Sequence, residues 1–362
     1  MGSRSPTDAP CSPRANDLPS RGLPWGMMAA TQTPSRVGFV GLGTMGQALA
    51  LRLVANGIPL VVYNRSPERV RPLEEKGALV AGTPREAARK ASAGVVFVAT
   101  TDGKTQRRVI LGRSGVARGL PAGGVVVGLG TIAPEESRSL GKAVAARGLR
   151  YVEAPMGGSA EQAANGQVAF YVGGEEEDVA RVVPLLEKMG RRTFPLGPVG
   201  RASAMKLALN ALTVGYIALA GEALALGERH GLTREQQLEV FLDGAGRSVM
   251  LERKKGSILA RNYPSAFGLP LALKDEKLIV STARKAGLSL GMSQASLRLL
   301  KQALSQGRGK EDFAAVVEVH SQGAGATTTT TNPPGGPEAP TRATDPPERR
   351  AGEGDPGIAP PP

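Results

Sequence analysis

The spacing of apolar residues changes near residue 200 of this chain. Before that point, short valine-rich runs alternate with segments in which apolar residues recur every three or four positions. After it, only the wider spacing continues. The first pattern is typical of strands that alternate with helices, and the second of helices alone. We therefore predict an α/β domain with a doubly wound, largely parallel sheet, followed by an all-α C-terminal domain.

The boundaries of the predicted elements are set by where each pattern starts and stops. Strands are predicted at 36–40, 59–63, 94–99, 124–128, 151–152 and 168–172. Helices are predicted at 47–56, 201–229, 233–242, 272–286 and 292–305. The long helix at 201–229 would join the two domains, which we place at residues 35–197 and 198–320.

Both ends of the chain have a different composition. Residues 1–34 and 321–362 are crowded with Pro, Gly, Ser and Thr and hold few large apolar residues. Such segments cannot bury enough surface to offset their ordering entropy, so we predict two disordered tails. The single cysteine, Cys11, lies in the first tail, which excludes a disulfide scaffold. Translation from Met27 or Met28 would remove most of that tail, which stays a hypothesis.

Charge and hydropathy narrow the class of protein. The net charge of +13 favours phosphate-bearing or acidic ligands, although an arginine-rich solvated surface gives the same value. Nucleic acid is not favoured, because no binding motif is present and only 4% of the residues are aromatic. The longest charge-free apolar stretch, 207–221, has 15 residues, too few to span a bilayer. No secretory signal is recognisable. We predict a cytoplasmic protein without a membrane segment.

A glycine-rich turn separates the first predicted strand from the first helix. It consists of Gly41, Leu42, Gly43, Thr44, Met45 and Gly46. Strand, GxGxxG and helix together are the context in which this motif binds a dinucleotide, whereas an ordinary glycine-rich turn is the alternative. Gly41 permits the tight turn, Gly43 lets the backbone approach a pyrophosphate, and Gly46 allows close helix packing. The motif predicts a Rossmann domain with all six residues at the cofactor.

The residues after the second strand bear on the choice of cofactor. NAD enzymes place an acidic residue here to bind the ribose 2′-hydroxyl. This chain instead has Asn64, Arg65 and Ser66. An arginine can bind a 2′-phosphate through two hydrogen bonds, and a serine can donate a third. NADP(H) is therefore favoured over NAD(H), and the alternative is that Arg65 is a surface charge.

Five segments together resemble the β-hydroxyacid dehydrogenase family, which includes 3-hydroxyisobutyrate dehydrogenase, tartronate semialdehyde reductase and relatives of 6-phosphogluconate dehydrogenase. They are VGFVGLGTMG at 37–46, GTIAPEES at 130–137, EAPMGGSAEQAANGQ at 153–167, GPVGRASAMKLALN at 197–210 and LKDEKL at 273–278. The resemblance extends over nearly all of residues 36–320. It implies a Rossmann domain, a helical domain that often mediates homodimers or tetramers, and an active site between them.

The resemblance also implies a catalytic lysine. Gly197, Gly200, Lys206 and Asn210 match the segment in which the family carries it. Lys206 and Asn210 are four residues apart on the predicted long helix, so they lie on one face and can meet one substrate. A protonated Lys206 could donate to a carbonyl oxygen as hydride arrives at carbon, and accept that proton in the reverse direction. A solvated surface lysine is the alternative.

The predicted substrate loops depart from the family. Gly130, followed by Thr131, stands where a serine commonly contacts the substrate carboxylate, and Gly157 stands at a second serine position. The next residues are Gly158 and Ser159, so one hydroxyl reappears two positions later. Backbone amides of these glycines could still bind an anion. We predict substrate contacts from these five residues and Asn210, and we expect departures from a small 3-hydroxy acid, toward a bulkier carbonyl or an imine.

The remaining predicted contacts also come from the resemblance. Thr100 and Thr101, at the end of the third predicted strand, occupy the place of a Leu-Pro pair beside the cofactor ribose. Thr131 is assigned to the cofactor as well as to the substrate. Lys274 resembles a lysine that closes over the nicotinamide end, or else it is a surface lysine at a helix end. No metal site is predicted, because no cluster of His, Cys or carboxylate residues is present.

These observations predict an NADP(H)-dependent oxidoreductase. It would move hydride between the nicotinamide and a small hydroxy acid or semialdehyde, with Lys206 as acid and base. An imine or ketone reductase is one alternative, although the related imine reductases commonly carry Asp or Tyr at the position of Lys206. A non-catalytic NADP-binding protein is another, favoured by the basic charge and the two missing serines.

Overall fold

The computed structural model describes residues 36–320, and these residues belong to one structural unit. The two tails predicted to be disordered, 1–34 and 321–362, lie outside the described residues. The same holds for Cys11 and for the methionines at 27 and 28. The described residues comprise an α/β part and a helical part.

The α/β part is built on a parallel sheet of six strands in the order β3-β2-β1-β4-β5-β6. The strands are β1 (Val37–Val40), β2 (Leu60–Tyr63), β3 (Leu79–Val80), β4 (Val95–Val98), β5 (Val125–Gly128) and β6 (Arg150–Glu153). The central strands are fully buried, because helices cover both faces of the sheet. The strand order reverses between β1 and β4, and ligands of such sheets bind in the crevice at that point.

Seven helices accompany the sheet within the described α/β part. They are α1 (Thr44–Ala55), α2 (Arg71–Glu74), α3 (Pro84–Lys90), α4 (Gly103–Leu111), α5 (Pro134–Ala145), α6 (Ala160–Ala164) and α7 (Glu176–Met189). Their apolar faces form one core on each side of the sheet. The predicted α/β Rossmann fold is therefore confirmed, with α1 beginning directly inside the glycine-rich turn.

A second, smaller sheet follows the main one. Its strands are β7 (Met156–Gly157), β8 (Ala169–Val172) and β9 (Arg192–Pro195), with β7 antiparallel and β9 parallel to the central β8. The strand predicted at 168–172 is present as β8 but belongs to this second sheet, and β7 and β9 were not predicted. Strand β7 has two residues, too few to show a periodic pattern. Strand β9 begins with Arg192 and ends with Pro195, which are not typical strand residues, so its sequence does not indicate a strand.

The C-terminal part is helical, as predicted. Its helices are α8 (Arg201–Arg229), α9 (Arg234–Asp243), α10 (Val249–Ala260), α11 (Leu269–Lys285) and α12 (Gly291–Ser305), followed by the 3-10 segment Phe313–Val319. They share one core around the buried side of α8. Helix α10 was not predicted, because the consecutive charges at 252–255 and the glycine at 256 interrupt its apolar pattern.

A single buried carboxylate fastens α8 to the main sheet. Glu153, at the end of β6, accepts hydrogen bonds from the backbone N–H groups of Gly200 (2.6 Å) and Ala202 (2.9 Å) at the start of α8. The Ser137 and Ser203 hydroxyls both donate to its other oxygen at 2.5 Å. Negative charge at a helix N-terminus is favourable. Glu153 therefore holds the beginning of the helix that carries Lys206.

Helix α8 also bears on the prediction that no membrane segment is present. Among the described residues, it alone is long and apolar enough to cross a bilayer by length and composition. The core helix of a globular domain meets the same criterion. Its buried side packs in the shared core, and buried Asn210 donates a hydrogen bond to Asp275 of α11 at 2.8 Å. We therefore describe α8 as the core helix of this domain.

Candidate active site

The glycine-rich turn has the shape that a dinucleotide requires. Gly41 has a φ of +95°, and a side chain there would place its Cβ 2.0 Å from the Ala99 carbonyl oxygen. A Cβ on Gly46 would lie 2.1 Å from the Gly41 carbonyl oxygen. A Cβ on Gly43 would meet nothing within 4 Å, because this residue faces open space. Two glycines thus pack the turn, and the third leaves the N-terminus of α1 open to an anion.

A cleft of about 630 Å³ lies at the carboxyl ends of β1, β2 and β4. Seven of the predicted cofactor contacts line it: Gly41, Gly43, Asn64, Arg65, Ser66, Thr100 and Thr101. Leu42 is buried beneath the turn, and its N–H donates to the Asn64 side chain at 2.9 Å. This hydrogen bond joins the glycine-rich turn to the end of β2. It requires an acceptor oxygen at position 64, which the Asn64 amide provides.

The cleft is basic. Arg65, Arg69, Arg108 and Arg113 line it, and no Asp or Glu does. Within residues 36–320, none of the four forms an ion pair with a carboxylate. Arginine readily binds phosphate through paired hydrogen bonds. Only Arg65 was predicted from the sequence; Arg69 follows it by four residues, and Arg108 and Arg113 become its neighbours through the fold.

A second cluster of polar residues forms where α8 meets α11. Asp275, which is buried, accepts a hydrogen bond from Asn210 and lies 2.5 Å from the ammonium of Lys274. Lys206 lies one helical turn before Asn210 and is half-buried. Among the described residues it has neither a hydrogen bond nor an ion pair. The fold thus brings the predicted site residues Lys206, Asn210 and Lys274 together. Asp275 belongs to the same cluster but was not predicted as a site residue, although it directly follows Lys274 in the sequence.

Burial changes the acidity of the predicted catalytic lysine. Loss of solvent around the Lys206 ammonium lowers its pKa from 10.5 to about 8. The carboxylate of Asp275 opposes this shift, and the positive charge of Lys274 adds to it. A lysine with a pKa near neutrality can both donate and accept a proton, which a solvated surface lysine cannot do efficiently.

Lys274 connects the helical domain to the cofactor cleft. Its ammonium donates to the carbonyl oxygens of Thr101 (2.8 Å) and Thr131 (3.1 Å), which follow β4 and β5. Thr101 lines the cleft. Lys274 therefore reaches the end of the cleft nearest Lys206, rather than extending into solvent as a helix-end lysine would.

Side chains from elsewhere occupy the space beside the two substrate-loop glycines. A Cβ on Gly130 would lie 2.4 Å from the Gln106 Oε1 atom, and one on Gly157 would lie 2.5 Å from the Tyr171 hydroxyl oxygen. Gln106 is buried and donates to the Tyr151 hydroxyl at 3.0 Å. None of these three polar residues was predicted, because nothing local in the sequence links them to the loops.

The other two predicted substrate contacts have different surroundings. Gly158 is exposed, with a φ of +141°. The Ser159 hydroxyl oxygen accepts a hydrogen bond from the Gln162 N–H at the start of α6, and the Gln162 side chain accepts one from the Ser159 N–H. Ser159 thus caps a helix, a structural role that was not predicted for it.

No metal centre is found in the part of the chain that the structure describes. Residues 36–320 contain no group of three His, Cys, Asp or Glu side chains that could hold an ion. His230 is exposed at the end of α8. The His320 Nε2 atom lies 4.0 Å from a Glu222 carboxylate oxygen, away from the cleft residues.

Two family models match the chain and together span the described residues. Residues 36–197 match the NAD binding domain of 6-phosphogluconate dehydrogenase. Residues 200–320 match the NAD-binding domain of NADP-dependent 3-hydroxyisobutyrate dehydrogenase.

Individual relatives agree with these models. The glyoxylate/succinic semialdehyde reductase 1 of Arabidopsis thaliana is 30% identical over 282 residues, which are 78% of this chain and 97% of that protein. The crystal structure of a 3-hydroxyisobutyrate dehydrogenase from Salmonella typhimurium superposes with a TM-score of 0.71 at 27% identity, covering 78% of this chain and 99% of the other. A structure described as Psf3 in complex with NADP+ and 2-OPP gives a TM-score of 0.70 at 30% identity, with 78% and 99% covered.

This chain therefore belongs to the β-hydroxyacid dehydrogenase family. Membership makes it a nicotinamide-dependent oxidoreductase acting on hydroxy or carbonyl groups of small molecules. The resemblance stated from five sequence segments is confirmed.

Proposed function

We propose that this protein is an NADPH-dependent reductase of small aldehydes, including semialdehydes, with Lys206 as the proton donor. The single observation that supports this most is the environment of Lys206. It is half-buried beside Asn210 and Asp275, it has no bonded partner among the described residues, and burial lowers its pKa to about 8.

The residues of the cleft fit a bound NADP(H). The open side of Gly43 would receive the pyrophosphate, and the donors at Arg65 and Ser66 would receive the 2′-phosphate. The bound nicotinamide supplies the hydride. The absence of acidic residues among those that line the cleft supports NADP(H) over NAD(H), because a carboxylate would repel the 2′-phosphate.

The chain's own residues would handle the proton. Lys206 in its protonated form donates to the carbonyl oxygen of the substrate as negative charge develops there. The Asn210 amide, held by Asp275, orients that oxygen. Lys274, bonded to the Thr101 and Thr131 carbonyl oxygens, would close the site on the side of the cofactor cleft. In the oxidative direction, neutral Lys206 takes the proton back.

The substrate class rests on the relatives and on charge. The Arabidopsis relative is named for glyoxylate and succinic semialdehyde. Both are aldehydes with a carboxylate, and the site lies in a protein with a net charge of +13. We propose an aldehyde that also carries an anionic or hydroxyl group, and a cytoplasmic location for its reduction.

We also propose a homodimer formed through α8. Met205, Leu212, Leu219 and Leu226 are 45%, 72%, 51% and 65% exposed, and each lies seven residues after the previous one. A heptad repeat of exposed apolar residues forms a straight stripe that pairs with an identical stripe. A second copy of this chain is the occupant that such a repeat fits.

The proposed activity is tested by following NADPH absorbance with glyoxylate, succinic semialdehyde and a cyclic imine, and by repeating each assay with NADH. We expect turnover of an aldehyde, with a preference for NADPH. Replacing Lys206→Ala should lower kcat by about 100-fold or more, since general acid catalysis contributes on that order. Lys277→Ala, a loss of an exposed lysine on α11, serves as the matched control. NADPH binding without turnover of any compound would instead support a non-catalytic NADP-binding protein.

A further inference from the structure

The Tyr171 hydroxyl is an unused polar group next to the proposed substrate site. Its oxygen lies 2.5 Å from the position that a Cβ on Gly157 would occupy. The Leu209 side chain lies 3.6 Å from the same position. Tyr171 is half-buried, and within residues 36–320 its hydroxyl makes no hydrogen bond. A half-buried hydroxyl that makes no hydrogen bond within the protein is available to donate one to a ligand.

The Tyr171 ring is held firmly in this position. Tyr171 lies in β8, the central strand of the small sheet, and its N–H donates to the Pro155 carbonyl oxygen at 2.9 Å. Its ring stacks on Phe194 with centroids 6.0 Å apart and planes 26° apart. The Arg192 guanidinium covers that second ring at 4.6 Å from its centroid. A side chain fixed by such contacts can orient a ligand at little entropic cost.

The position of Tyr171 relates it to the catalytic lysine. Leu209, its neighbour across Gly157, lies three residues after Lys206 on α8, so the two side chains share a face of the helix. Burial raises the pKa of the Tyr171 phenol, and the positive charge of Arg191 opposes the shift without reversing it. The hydroxyl therefore stays protonated at neutral pH and can donate a hydrogen bond.

We propose that Tyr171 binds the polar end of the substrate, the carboxylate or hydroxyl that lies away from the reacting carbonyl. Its hydroxyl supplies the donor that glycine at position 157 lacks. This assignment rests on the proposed function. It makes Tyr171 a specificity-determining residue that favours aldehydes carrying an anionic acceptor over plain alkyl aldehydes of the same length.

The test compares two substrates that differ in this polar end. Succinic semialdehyde carries a carboxylate, and butanal has the same chain length without one. For Tyr171→Phe we expect kcat/KM for succinic semialdehyde to fall about tenfold or more, as for loss of a hydrogen bond to a charged group. The value for butanal and the Kd of NADPH should stay within about twofold of the wild type, since neither uses this hydroxyl.

A second variant restores the hydroxyl from the other side. In Gly157→Ser alone, the new Cβ meets the Tyr171 oxygen at 2.5 Å, so this variant should be impaired. In the double variant Gly157→Ser/Tyr171→Phe, that oxygen is gone, and the serine can donate in its place. We expect it to recover part of the preference for succinic semialdehyde. Tyr216→Phe is the matched control, because that hydroxyl donates to the Gly246 carbonyl oxygen within the helical domain.

Each outcome decides the proposal. An unchanged substrate preference in Tyr171→Phe, with an active wild type, overturns the role of Tyr171 and leaves the proposed function standing. An equal loss for both aldehydes also overturns it, because the hydroxyl would then act on what they share. A wild type that binds NADPH but reduces neither aldehyde contradicts the proposed function, and the role of Tyr171 falls with it.

Discussion

The surroundings of Lys206 change the acidity of its side chain. Its charge is disfavoured by burial and by Lys274, and is only partly restored by Asp275. The carboxylate of Asp275 is already engaged by Asn210 and Lys274. The ammonium is therefore kept close to its point of deprotonation, which suits a group that must release a proton and recover it in each catalytic cycle.

This environment predicts opposite pH dependences for the two directions of the reaction. In the proposed mechanism reduction requires protonated Lys206, so kcat/KM for the aldehyde should decrease as the pH rises through about 8. Oxidation of the corresponding alcohol requires the neutral amine, and its kcat/KM should increase over the same range. Steady-state kcat/KM values for reduction and for oxidation, measured below and above pH 8, give both pH dependences. If both directions respond to pH with the same sign near pH 8, Lys206 is not the group that exchanges the proton.

At the scale of an element, the contact between α11 and α12 contains a costly carboxyl group. Glu276 is fully buried on α11, next to Asp275, and neither of its oxygens has a hydrogen-bonding partner in the described structure. Burial raises its pKa to about 7, the Asp275 charge adds to the rise, and the nearby Ser293 hydroxyl moderates it. The folded state therefore disfavours the ionised form of this residue.

This burial predicts a stabilising substitution. Because the folded pKa of Glu276 lies above its ordinary value of 4.5, the folded state loses stability as the pH rises from about 4.5 to 7. Glu276→Gln removes that cost. We expect a gain of about 1–3 kcal/mol in the free energy of unfolding at about pH 8 and a much smaller gain at about pH 4.5. Urea unfolding at both pH values measures the difference, with Glu187→Gln as an exposed control. A gain that does not grow with pH would contradict the assignment.

The elements also show what local pattern can and cannot reveal. The glycine-rich turn was predictable, because its strand, glycines and helix are consecutive and each has a steric reason. The proximity of Lys206 and Asn210 was predictable, because helical spacing puts them on one face, whereas their selection as site residues came from the family resemblance. The places of Gln106 and Tyr171 were not, since they are set by packing between residues that are 24 and 14 positions apart from Gly130 and Gly157. The strands β7 and β9 were not predicted for a related reason: each forms by pairing with β8, and its own sequence does not indicate a strand.

At the scale of the whole molecule, the exposed stripe on α8 predicts the oligomeric state. We expect light scattering to give the mass of a dimer, and Leu212→Glu/Leu219→Glu to give a monomer, because paired charges would face each other across the two-fold axis. Leu304→Glu is the control, a partly exposed leucine on another helix. A wild-type monomer, or a double variant that still forms the same dimer, would contradict an interface through α8.

The bonds of Glu153 join the helical part of the molecule to the α/β part. Its carboxylate links the end of β6, Ser137 of α5 and the first turn of α8, so these three elements are bonded to one another at this corner of the molecule. The ammonium of Lys274 forms a second link, from α11 to two carbonyl oxygens that follow β4 and β5. One flexible side chain breaks such contacts more easily than a buried carboxylate breaks its own. A movement that separates α11 from the ends of β4 and β5 therefore has to break the contacts of Lys274, whereas the start of α8 is held separately by its hydrogen bonds to Glu153.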